Sequence, residues 1–291
     1  MAEGGVGLNI LIALAPAFFW GILPLVVSRV GGTPVQQIIG TTVGTLLVSI
    51  VVAMIMPPTL SGTVFWYSFA SGACWAFGQM NQYRSFLQIG VSNAMPISTG
   101  MQLVSTSLVG VLVFGEWPTL ADKVLGFCAI ALIVLGIYLT THQEGEGHEG
   151  VDMRAGVITL LISTVGYVGY SYFPRAGHVD GQDAFLPQAV GMVAMSLVMP
   201  LFFRGSKPFN RKTVQNLLGG FIFAAAALAY LLSAYRNGIA TGFTLSQMNV
   251  VLATLGSIYI LGEKKTRKEM RHVLTGLSLV VAGGIMIGLN A

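Results

Sequence analysis

Ten stretches of this chain are each long and apolar enough to cross a bilayer as a helix, which takes about 20 predominantly apolar residues. They lie at 8–29, 35–56, 63–83, 92–114, 121–140, 155–175, 185–203, 214–235, 239–261 and 272–290. Inside hydrocarbon a backbone must satisfy its hydrogen bonds within the segment, so such runs are read as helices and the chain as an all-α membrane protein. Composition closes off the soluble alternative. Charged residues are 9% of the 291 positions and hydrophobic ones 54%, whereas a soluble domain carries about 25% charged residues. The 37 glycines suit helices that pack closely without a hydrophobic force between them. A net charge of +4, scattered along the chain, gives no footprint for nucleic acid. Cys74 and Cys128 sit within apolar runs without metal-ligand spacing, and are expected to be buried, inert thiols. The first run has no basic segment before it and no small-residue cleavage pattern, so it reads as a retained span.

The polar stretch 141–154 divides the chain into five runs, 1–140, and five more, 155–291. The halves repeat weakly. Leu112-Val113-Phe114-Gly115-Glu116 ends the fourth run, and Tyr259-Ile260-Leu261-Gly262-Glu263 ends the ninth. Aligning these Gly-Glu pairs sets Met101-Gln102 against Met248-Asn249. A small adjustment then pairs Tyr83-Arg84 with Tyr235-Arg236. An odd number of spans per repeat means the second half enters the membrane inverted. Inverted repeats are a transporter architecture, with the substrate site near the midplane between the halves.

Twelve of the fifteen Lys and Arg residues fall in the connections after runs 1, 3, 5, 7 and 9, leaving Lys123, Arg175 and Arg236 on the other side. The positive-inside rule places the richer side in the cytoplasm and both termini outside. Cysteines introduced singly as Lys207→Cys or Lys265→Cys are therefore expected to resist impermeant thiol reagents in intact cells. Ready labelling from outside would reverse the orientation.

Polar side chains within spans are costly unless paired or facing a cavity, which makes them informative. In the third run Trp75, Gln79 and Gln82 stand at i, i+4 and i+7, on one helix face. Ser98, Gln102 and Ser105 repeat that spacing in the fourth run, after Pro96. The sixth run offers Thr164, Tyr167 and Tyr170, the seventh Gln188 beside Pro187, and the ninth Thr244, Gln247 and Asn249. Trp20 lies between Pro16 and Pro24 in the first. This inventory of neutral amides, hydroxyls and aromatics suits a sugar. Amides donate to and accept from hydroxyls, and aromatic faces cover the C–H face of the ring. Interhelical hydrogen bonding is the competing role for each residue, but recurrence in both halves favours a lined cavity. The expected substrate-binding set is Trp20, Trp75, Gln79, Gln82, Ser98, Gln102, Tyr167, Tyr170, Gln188, Gln247 and Asn249. The prolines at 16, 24, 96, 174 and 187 are expected to bend or break their helices, and half-helices at the substrate site are one outcome.

Glu116 and Glu263 lie at matching helix ends, as gate or proton-relay candidates or as ordinary helix-end residues. Asp180, Asp183 and His178 read as a solvated loop, and Arg29, Arg84, Arg175 and Arg236 as helix-end cations reaching toward headgroups. No nucleotide-binding glycine loop, no metal-spaced His, Cys and Asp cluster and no carboxylate pair within a span points to an enzyme, a metal or a cofactor.

Several stretches carry a resemblance: APAFFWG (15–21), VGGTPVQQIIGTTVG (30–44), WAFGQMNQ (75–82), GVSNAMPISTGMQLV (90–104), GEW (115–117), STVGY (163–167) and LSQ (245–247). Together they resemble the bacterial glucose/ribose porter family of the drug/metabolite transporter superfamily, nearly end to end. The resemblance implies the drug/metabolite transporter fold, with ten transmembrane helices as two five-helix inverted repeats, in the bacterial plasma membrane. It also implies uptake of a sugar. The first half looks most like the glucose uptake proteins, while AFLPQAVGM (184–192) and ATGFTLSQ (240–247) also look like the ribose uptake proteins. Glucose is favoured over ribose. The family resemblance implies proton symport, yet no carboxylate stands at mid-depth, so facilitated uniport stays open. A drug or metabolite exporter of the same superfamily is the reading from another class; it would want a more apolar cavity or a carboxylate for cationic drugs.

Overall fold

A computed structural model of the chain describes residues 3–142, 151–203, 207–237 and 245–290. Helices come in the order α1 (Glu3–Val30), α2 (Pro34–Ile55), α3 (Gly62–Ile89), α4 (Val91–Phe114), α5 (Leu120–Thr140), α6 (Met153–Ala176) and α7 (Gly181–Val198), the last ending in a 3-10 turn, Met199–Leu201. The short α8 (Arg211–Gln215) passes through Asn216 into α9 (Leu217–Asn237), and α10 (Asn249–Tyr259) and α11 (Arg267–Asn290) follow. With α8 and α9 taken together, these are ten helical segments among the described residues, one for each apolar run.

Among the described residues seven segments are long and apolar enough to span by themselves: α2, α4, α5, α6, α7 with its 3-10 turn, α8 with α9, and α11. Of the other three, α1 is a 28-residue helix whose described apolar portion is Leu14–Val30, and α10 has 11 residues. Helix α3 is long but polar, with Ser68, Ser71, Gln79, Asn81, Gln82 and Ser85 all buried. Such a helix belongs inside the bundle, where other helices satisfy its side chains, and not against lipid. It also continues to Ile89, beyond the expected end at 83, because the polar Arg84 and Gln88 end the apolar run before the helix itself stops.

Helix starts follow from local chemistry. Thr33 and Gln36 form a reciprocal capping box on α2, with Pro34 in the first turn. Thr119 and Asp122 do the same on α5. Gly90, at φ 75° and ψ 163°, both ends α3 and starts α4, a backbone conformation open to glycine but not to side-chain-bearing residues. None of the five prolines breaks its helix: α1 runs through Pro16 and Pro24, and α4, α6 and α7 run through Pro96, Pro174 and Pro187. The interruption falls instead at Gln247-Met248, a turn just before α10.

Helix α3 packs on α6 and α7, and α9 packs on α1 and α2. Helix α4 lies against α6 and α10, α1 against α10, α2 against α7, and α5 against α11. The closest crossings are made by glycine. A Cβ at Gly72 would strike the Gln188 carbonyl and one at Gly191 the Phe69 carbonyl, where α3 crosses α7. Gly44 and Gly220 play the same part between α2 and α9.

The main buried apolar cluster, including Val27, Ile39, Tyr83, Ile89, Val91 and Val273, is concentrated at one end of the bundle. Here α1 finishes and α2 begins, and α3 passes into α4. Lys207, Lys212, Lys265 and Arg267 lie at this end too, so it is the basic end. Outward faces carry exposed apolar side chains such as Met54, Leu112, Phe127 and Val165, which the bilayer would cover. The thiols differ from expectation: Cys128 is exposed on an outward face of α5 and Cys74 is only partly buried between α3 and α6. An apolar run in a membrane does not distinguish lipid-facing positions from core ones.

Candidate functional site

A cavity of about 510 Å³ lies between α1, α3, α4, α6, α7, α9 and the start of α10. Trp20 reaches it from α1, Trp75, Gln79 and Gln82 from α3, and Gln102 from α4. The second half contributes Tyr167, Tyr170, Gln188, Gln247 and Asn249. Ser98 stands behind this wall and holds it. The i, i+4, i+7 spacing of Trp75, Gln79 and Gln82 has put three side chains of one helix on a single concave surface. Thr244 and the side chain of Arg236 lie outside the described residues.

The floor is one hydrogen-bond network. Tyr167 lies within donating distance of the amide oxygens of Gln79 at 2.8 Å and Gln82 at 3.0 Å. Gln79 Nε2 donates to Gln82 Oε1 at 2.8 Å, and Gln82 Nε2 to Ser98 Oγ at 2.7 Å. Gln102 Nε2 donates to the same Ser98 oxygen at 3.0 Å. Each amide nitrogen has a second N–H that this network leaves unused. The Gln102 carbonyl oxygen takes no part in the network as an acceptor, and these groups are what the floor can offer to hydroxyls. On the neighbouring wall Gln188 Nε2 donates to Ser71 Oγ at 3.0 Å, and Ser71 donates to the Tyr170 carbonyl at 2.7 Å. Asn249 Nδ2 donates to the Ser246 carbonyl at 2.8 Å.

Two aromatic pairs flank the floor. Trp75 and Phe223 have ring centroids 4.2 Å apart, and Trp20 and Tyr230 lie 5.7 Å apart. Phe223, Tyr230 and Thr99 line the cavity but were not singled out in the sequence. The signal was available for the aromatics, since 223 and 230 are two helical turns apart on one face of α9. In a run rich in apolar residues that spacing did not stand out.

At the mouth, opposite the basic end, Glu116 pairs with Arg175, whose guanidinium lies over the Phe114 ring at 4.4 Å. Arg175 is 49% exposed, so solvent screens the pair and it adds little to stability. Among the described residues lining the cavity these are the charged side chains. Glu263 is placed differently. It is away from the cavity at the basic end, its carboxylate accepting from Val91 N at 2.7 Å and Ser92 N at 2.9 Å. Asp183 is more than a solvated loop residue, because it accepts from Thr59 N at 2.8 Å and ties α7 to the α2–α3 connection.

A concave floor of amides and a phenol between aromatic faces can hydrogen-bond hydroxyls and cover the C–H face of a ring. Residues 11–290 match the family model described as sugar transport protein. The chain belongs to that sugar transport family. A relative named sugar uptake protein lmo0169, from Listeria monocytogenes, is 52% identical over 97% of this chain and 99% of its own length. One named glucose uptake protein GlcU, from Bacillus anthracis, is 44% identical over 97% of this chain and 99% of its own. Another, named ribose uptake protein RbsU, from Latilactobacillus sakei, is 47% identical over 95% and 96%. One crystallised protein superposes with a TM-score of 0.61 at 16% identity, covering 97% of each chain, a likeness of fold alone. The family membership and the seven unaided spans make this a multi-pass protein of the bacterial plasma membrane.

Proposed function

We propose that this member of the sugar transport family takes up a monosaccharide by alternating access, glucose in preference to ribose, with protons as the coupling ion. The site is the amide and aromatic cavity. The observation that carries the reading is the floor formed by Gln79, Gln82, Gln102 and Tyr167. It can hydrogen-bond hydroxyls and, among the described residues, presents no unpaired charge to them. An exporter of cationic drugs would want a carboxylate at that depth.

The mechanism rests on two inverted repeats, 1–140 and 155–291, joined by 141–154. The packing supports this. Exchanging each span for the one five later maps the most heavily packed pairs between the halves onto one another. The contacts of α3 with α6 and α7 answer those of α9 with α1 and α2, and α4 on α6 answers α10 on α1. Two peripheral ties also correspond: Gln36 Nε2 donates to the Lys207 carbonyl at 2.7 Å, and Thr59 N to Asp183 at 2.8 Å. Sugar would enter by the Glu116 mouth, and rocking of the halves would open the basic end.

Uptake of labelled glucose and ribose into proteoliposomes, with and without an imposed pH gradient, tests the reading. Saturable entry, faster for glucose and accumulating with the gradient, is the expected result. If a folded preparation carries neither sugar above protein-free vesicles, the reading is wrong. For coupling, Glu116 is the carboxylate that can meet protons from the mouth. Glu116→Gln is expected to abolish gradient-driven accumulation while leaving sugar counterflow. Wild type that never accumulates sugar against a gradient would make the protein a facilitator, and Glu116 an ordinary helix-end residue.

A further inference from the structure

We propose that Glu263 is the gate residue of the basic end, clamping the start of α4 while the cavity faces the Glu116 mouth and releasing it for sugar to leave. The inference deepens the alternating-access reading and rests on its inverted halves.

The clamp begins with an unmet need. The first turn of any helix has N–H groups without intrahelical acceptors, and α4 has no side-chain cap of its own because its N-cap residue is Gly90. Glu263 supplies both acceptors from the other half of the chain, 172 and 171 residues away in sequence. A carboxylate is well suited to this place, since it adds charge-assisted hydrogen bonds at the positive pole of the helix. The turn is shaped around it. A Cβ at position 90 would stand 2.9–3.1 Å from the Glu263 carboxyl group, so a side chain there would push the carboxyl off its seat in addition to straining φ. Beside the clamp Lys265 donates to Asn93 Oδ1 at 2.8 Å, again from the second half to the first turn of α4. Burial pushes the Lys265 pKa down, while Glu269 and Glu263 pull it back up.

The seat is not fully satisfied. Ser92 Oγ is buried there with no hydrogen-bond partner among the described residues, and Ser257 Oγ reaches Glu263 only at 3.4 Å. Vacating such a seat costs less than breaking a complete network.

The contrast with Glu116 points to Glu263 as the moving element. The two glutamates hold matching places, each after a glycine at the end of a matching helix. One grips the opposite half at the closed end. The other also reaches across the halves, to Arg175 of α6, but in a solvent-exposed ion pair lining the open mouth and not on the backbone of a helix start. The peripheral ties, by comparison, are made at both ends. The two ends thus differ at the glutamates, where a carrier that opens one side at a time must break and remake contacts.

The test uses the full-length chain with Cys74→Ser and Cys128→Ser and one reporter, Ala227→Cys, on the cavity wall. An impermeant thiol reagent is added to vesicles from each face in turn. With Glu263 intact, labelling is expected to be fast from the mouth and slow from the basic end. Glu263→Gln should raise the basic-end rate about tenfold or more and lower the mouth rate, as a shift between two populations requires. Unchanged rates on both faces in folded Glu263→Gln would overturn the proposal. Should that variant fail to fold, the wild-type clamp can be locked instead. Asn93→Cys with Lys265→Cys, joined by a short bis-thiosulfonate, should stop sugar counterflow until reductant restores it. Counterflow that survives the cross-link overturns the proposal equally. The labelling needs no sugar, so failure of the sugar assignment would leave that result standing.

Discussion

Gly72→Leu is expected to leave almost no folded carrier. At that position α3 passes α7 so closely that even a methyl group would meet the Gln188 carbonyl. The obstacle is backbone, so no rotamer change relieves it. Overpacking a core usually costs about 1–3 kcal/mol and more where nothing can yield, against a total stability of about 5–15 kcal/mol. The helices would have to separate, taking with them the Gln188 wall and the glycine contact at Gly191 on the partner helix. Gly62→Ala is the control, since a Cβ there meets nothing within 4 Å and the residue opens α3 at the surface. Size-exclusion profiles and thermal unfolding in detergent would separate the two. A monodisperse Gly72→Leu protein with an unchanged Tm would show that the α3–α7 crossing is looser than described.

Gln79→Ala and Gln102→Ala should each weaken sugar binding strongly while the protein still folds. Each truncation removes a donor from the floor and strands the sugar hydroxyl it would meet, while Tyr167 and Ser98 keep their bonds to Gln82. A lost hydrogen bond that strands a polar partner costs about 1–3 kcal/mol, or roughly five- to 150-fold in affinity. Tyr167→Phe should have a smaller effect of the same sign, because it removes the hydroxyl shared by Gln79 and Gln82 but no direct donor from the floor. Equilibrium binding of labelled sugar to purified protein measures all three. Normal affinity in both glutamine variants would reduce these amides to interhelical packing.

Much of this site was legible because a polar residue in hydrocarbon needs a reason. Trp75, Gln79 and Gln82 stood at helical spacing in an apolar run, and one cavity wall is where they meet. Ser98 was legible as polar but not as support; that it stands behind the wall depends on how α3 and α4 face each other, which no local pattern encodes. Phe223 and Tyr230 were hidden by the rule that exposed the amides, since an aromatic in an apolar run needs no explanation. The matching glutamates could be found by aligning Gly115-Glu116 with Gly262-Glu263, but their present partners could not. One faces the closed end and the other the open mouth, and a sequence describes every state of the cycle at once. The prolines left breaking and bending both open for a related reason. A proline removes one helical hydrogen bond, and packed neighbours let α1, α4, α6 and α7 continue through it.

The central claim is that sugar passes through the cavity between Trp75, Phe223 and the glutamine floor. Alkylation of Ala227→Cys, between Phe223 and Tyr230 on α9, tests it most directly when a small neutral maleimide is used with rising glucose or ribose. Saturable protection is the predicted result, complete at the concentrations that saturate transport and lost in Gln79→Ala. An alkylation rate that sugar does not change, in a carrier that still transports it, would place the sugar pathway elsewhere in the molecule.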